Sequence, residues 1–70
     1  MSHYNPQLIQ TMRDALEAAM THVPMGHATP GVKAHLAEII LRAAAQGLTS
    51  HDSLVAAALD QIQGIISMLS

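Results

Sequence analysis

Thr29-Pro30-Gly31-Val32-Lys33-Ala34-His35-Leu36-Ala37-Glu38-Ile39-Ile40-Leu41-Arg42-Ala43-Ala44-Ala45-Gln46-Gly47-Leu48 is the stretch on which the fold turns. Thr29 can cap a helix that Pro30 opens, because the N–H that proline lacks has no partner in a first turn. Gly47 suits the left-handed position just past a helix end, and Leu48 can touch Ala43 as in a Schellman motif. The punctuation predicts a helix over 30–46. Its apolar side chains, Ile39, Val32, Ala43, Leu36, Ile40, Ala44, Ala37, Leu41, Ala34 and Ala45, cover roughly 240° of the wheel. Lys33 interrupts them at the solvent-facing start. His35, Glu38, Arg42 and Gln46 form the polar strip.

Toward the N-terminus the same device appears once more. Asn5 caps, Pro6 opens, and Tyr4 can staple to Ile9. Ala15, Leu8, Ala19, Met12, Val23, Leu16, Ile9 and Met20 occupy an arc of roughly 140°, which is ordinary for a helix with one buried face. Arg13, Glu17, Gln10, Thr21 and Asp14 take the other side. This helix is expected to end near His22, since Pro24 restrains Val23. A loop over 23–28 follows, with Val23 and Met25 turned inward.

Toward the C-terminus a third helix is expected over 50–69, starting near Thr49 or Ser50. Thr49 and Asp52 have the spacing of a capping box with the shorter carboxylate. Leu54, Ile65, Ala58, Leu69, Ile62, Val55, Ile66 and Leu59 fill another arc of roughly 140°. Ala57 and Gly64 share a strip of small residues. The prediction is therefore one all-α domain over 1–70, a three-helix bundle with helices at about 6–22, 30–46 and 50–69.

Composition supports this class. Of the 70 residues, 50% are apolar, yet Tyr4 is the single aromatic, and twelve alanines carry much of the helix propensity. No cysteine is present, so disulfides and thiolate metal sites are excluded. Three Lys/Arg against five Asp/Glu give a net charge of −2, which offers no electrostatic basis for binding nucleic acid or an acidic membrane. Five histidines would carry the net charge to +3 if all were protonated, a change that surface titration alone explains. No run of apolar residues approaches a membrane span, and residues 1–6 have neither the basic start nor the apolar run of a signal peptide. A cytoplasmic protein is expected.

Several constellations bear on function. Ala43-x-x-x-Gly47-Leu48-Thr49 has the look of a DNA-binding helix-turn-helix, which makes a DNA-binding regulator the second reading. A recognition helix there would offer Ser50, His51, Asp52 and Ser53 to the groove, and no Arg or Lys follows Arg42. Phosphate contacts supply most of such affinity. Asp52-Ser53-Leu54 copies the attachment triplet of acyl carrier proteins, but too few residues follow for the helices such carriers need. His22, His27 and His35 could approach a metal, the basis of a third reading as a metal- or small-ligand-binding protein, although nothing in their spacing defines a ligand geometry. No catalytic residue and no cofactor site is identified. Glu38, His35 and Arg42 read as a solvated helix-face network.

The residues Ala37-Glu38, Ile40-Leu41-Arg42-Ala43-Ala44-Ala45, Gly47, Leu54 and Ala57-Ala58-Leu59 resemble the core of a group of short helical proteins from proteobacteria. That group carries Ala-Glu-x-Ile-Leu-Lys/Arg-Ala-Ala-Ala-x-Gly and then Leu-x-x-Ala-Ala-Leu after six residues. The match is gapless over 37–59, about a third of the chain. Where the pattern usually opens its next helix with Asp-Pro, this chain has Ser50-His51. Ile39 stands where a charge is common. The resemblance implies a helix–glycine turn–helix core and no activity.

The leading expectation is a non-enzymatic interaction or regulatory module that acts as a homodimer. Its basis is the excess apolar width of the second helix. The surplus falls on Ala34, Ala37, Leu41 and Ala45, a strip that a second copy would cover.

Overall fold

The structure, a computed structural model, describes residues 5–69; nothing is described of the side chains of Ile65, Ile66, Met68 and Leu69. The expected Tyr4–Ile9 staple lies outside the described residues, as do the side-chain positions expected of Ile65, Ile66 and Leu69. Helix α1 spans Pro6–Met20, α2 Pro30–Ala45 and α3 His51–Leu69, and among the described residues there is no strand. The three helices pack on one another as an all-α bundle. None of the helices is long and apolar enough to cross a membrane, among the described residues.

Each helix start is set by a side-chain cap. The Asn5 carboxamide oxygen accepts from the Leu8 N–H at 2.7 Å, and the Thr29 hydroxyl accepts from the Val32 N–H at 3.2 Å. For α3 the expected Thr49–Asp52 box is not formed. Ser50 caps instead: its Oγ accepts from the Ser53 N–H at 3.2 Å and donates to Ser53 Oγ at 2.8 Å. The Ser53 hydroxyl returns a bond to the Ser50 carbonyl at 3.0 Å, leaving the Asp52 side chain in solvent. The first helical bond runs from the Leu54 N–H to the Ser50 carbonyl at 3.1 Å, and Leu54 is fully buried.

Helix α3 ends at Leu69 as expected, while α1 ends two residues and α2 one residue earlier than expected. After Met20 the backbone tightens: His22 donates to Ala19 at 3.0 Å and Val23 to Met20 at 3.1 Å, both three residues back. This turn carries Val23 beneath the bundle, where it is buried. Met25 does not follow it. A short 3₁₀ turn over Met25–His27 turns that side chain outward, and it is 95% exposed. At the end of α2, Gly47 has φ +100°, and Leu48 donates to the Ala43 carbonyl at 3.0 Å while Gly47 donates to Ala44 at 3.0 Å. These are the two bonds of a Schellman motif.

The core is one continuous cluster. Leu36, Ile40 and Leu54 are its largest fully buried members. Met12, Ala15 and Ala19 enter from α1, Ala43 and Ala44 from α2, and Ala58 and Ile62 from α3. Small alanines at these positions let the helix axes approach, which lets a chain with a single aromatic close its core.

Candidate interaction surface

Core packing uses only part of the apolar width of α2. Leu36, Ile40, Ala43 and Ala44 are buried, and Val32 and Ile39 are half-buried against the neighbouring helices. Of the four residues assigned to the surplus strip, Ala34, Leu41 and Ala45 are exposed and Ala37 is half-buried. Leu41 retains 48% of its surface.

The structure adds a second wall. Ile9, Met12 and Leu16 of α1 face Ala37, Ile40 and Leu41 of α2 across a groove of about 330 Å³. Ile9, at 45% exposure, is as bare as Leu41. The α1 contribution is not apparent from the helical wheel, because Ile9 there belongs to an ordinary buried arc. It lines the groove and stays half exposed where α1 packs against α2. Arg13 stands at the groove margin. The Glu17 carboxylate and the Lys33 ammonium, 3.2 Å apart, bridge the same two helices one turn further along.

Charge around this face is mostly committed. Lys33 pairs with Glu17, and Arg42 pairs with Glu38 at 2.6 Å on the outer flank of α2. His35 is not part of that network. Arg13 is the only Lys or Arg side chain without an ion-pair partner among the described residues.

A second depression, of about 300 Å³, lies between α2 and α3, where His35, Gln46, Asp60 and Gln61 surround Ile39 and Ala57. Ala57 is thus half-covered within the chain, while Gly64 is exposed. The remaining sequence motifs are not assembled into sites. Among the described residues no three His, Asp or Glu side chains gather at metal-binding spacing, His22, His27 and His35 included. The Ser53 hydroxyl is engaged in the α3 cap. The start of α3 presents His51 and Asp52, 3.6 Å apart, in the place where a recognition helix would need cations.

No protein-family model, no curated protein and no solved structure matches the chain.

Proposed function

We propose that this protein is a non-enzymatic helical interaction module whose working surface is the α1–α2 groove with the outer strip of α2, and that a second copy of the chain covers it. The carrying observation is that Ile9 and Leu41, two large aliphatic side chains about half exposed, line one groove beside Ala37. Isolated exposed aliphatic residues are common, but two that share a groove with Ala37, beside the exposed Ala34 and Ala45, form a patch. Alanines at 34, 37 and 45 admit close approach of another helix, and a two-fold contact satisfies the patch with its own copy. Pairing also enlarges the core of a chain short enough to bury only roughly 60% of its extended surface.

The test is the solution mass of the wild type and of Leu41→Glu. Wild-type protein at tens of micromolar should scatter light at twice the chain mass. Leu41→Glu should dissociate, because a carboxylate would be buried without a partner. A monomeric wild type would refute the reading. The scarcity of free cations further supports a module that works without nucleic acid, and duplex DNA at physiological salt should leave its anisotropy signal unchanged.

A further inference from the structure

The groove is polar at one end and apolar at the other, and this asymmetry selects how a second copy sits. Helices α1 and α2 run antiparallel: Glu17, late in α1, meets Lys33, early in α2, while Ile9, early in α1, shares the groove with Leu41, late in α2. One turn back from the Glu17–Lys33 pair, Arg13 stands level with Ala37. One further turn brings Ile9 level with Leu41. Bare apolar bulk lies at that end, and the ion pair lies at the other.

A two-fold axis perpendicular to the helices and centred at Arg13 would lay the apolar end of each copy on the charged end of the other, and one shifted to Ile9 and Leu41 would leave Arg13 and the ion pair outside the contact. An axis parallel to the helices keeps every residue at its own height and sets α1 of each copy over α2 of its partner. We infer that the second copy docks about this parallel axis, with Arg13 of each chain paired to the partner's Glu38. The inference rests on the dimer reading above.

Three matches support it, all from one rotation. Ile9 and Leu41 meet the partner's Leu41 and the partner's Ile9 in a single apolar cluster. Glu17 falls over the partner's Lys33, opposite in charge. Arg13, which has no ion-pair partner among the described residues, falls at the level of the partner's Ala37, next to the partner's Glu38. The partner's Ala34 and Ala37 leave space for the aliphatic stem of Arg13, so its guanidinium can reach past them. Within the chain, Glu38 holds Arg42 through Oε1, and its second oxygen can accept another donor.

The parallel axis makes a prediction that other arrangements do not. Arg13→Glu and Glu38→Arg should each weaken the dimer about tenfold or more in sedimentation equilibrium, since each dimer then holds two like-charge contacts. An equimolar mixture of the two variants should regain wild-type dimerisation, because every reversed charge then faces a reversed partner. Circular dichroism should show both variants as helical as the wild type, both positions being exposed. If either reversal unfolds the chain, Arg13→Gln and Glu38→Gln replace them. Each should weaken the dimer several-fold, and the double variant should lose no more than either single one. A mixture no tighter than its components, variants that dimerise like the wild type, or additive losses would overturn the parallel axis and leave the dimer standing. A monomeric wild type would remove both.

Discussion

Lys33 Nζ lies 3.2 Å from Glu17 Oε1, and this pair joins α1 to α2 at the charged end of the groove. Both side chains are at least half exposed, at 50% and 69%, so water and salt screen the attraction. Its stabilising effect is small, and its role is to mark the register of the two helices. Lys33→Gln should lower the unfolding free energy by no more than about 1 kcal/mol, with the difference shrinking in molar salt. Urea titrations at low and high ionic strength measure this. The titrations are made at concentrations where the chain is monomeric, because the proposed dimer sets Glu17 over the partner's Lys33; a loss above about 2 kcal/mol there would contradict the screening.

Leu36 has no exposed surface and sits at the centre of the core. Leu36→Ala removes its buried methyls and leaves a cavity, at a cost of about 2–5 kcal/mol. A small domain has little more than that to lose. The variant should show largely unfolded circular dichroism at 37 °C. Retention of a cooperative melt close to that of the wild type would show that the core collapses around the gap.

Gly47 holds φ +100° with both Schellman bonds in place. Open space surrounds the position a Cβ would take, so a side chain meets no neighbour there. The obstacle is the backbone conformation alone. Gly47→Ala should therefore destabilise by about 1–2 kcal/mol through strain at positive φ. Thermal melts compare the two proteins, and an unchanged midpoint would contradict the turn geometry.

Gly64 presents the reverse case. It lies within α3, is exposed, and a Cβ there would also meet nothing. No positive φ is required. Gly64→Ala should stabilise the chain by about 0.5–1 kcal/mol by restricting the unfolded state and favouring helix. Loss of stability in a chemical melt would indicate that another backbone approaches α3 at this glycine.

Much of this protein was legible in local sequence chemistry. Asn5-Pro6, Thr29-Pro30 and Gly47-Leu48 announce helix ends because caps and left-handed turns are interactions among a few adjacent residues. The three-helix class follows from periodicity in the same way, and the surplus apolar strip of α2 was apparent from its width alone. Ser50 rather than Thr49 caps α3, where Ser53 answers it with a returning hydroxyl bond that the Thr49–Asp52 spacing left out of account. Tertiary structure decided what local chemistry leaves open. Met25 points outward because the 3₁₀ turn, fitted to the span between α1 and α2, orients it so. Above all, Ile9 becomes one wall of the groove, and Arg13 its margin, only when α1 settles against α2. A wheel gives each residue a direction about its own axis; only the packing of two axes against each other determines whether that direction meets protein or water.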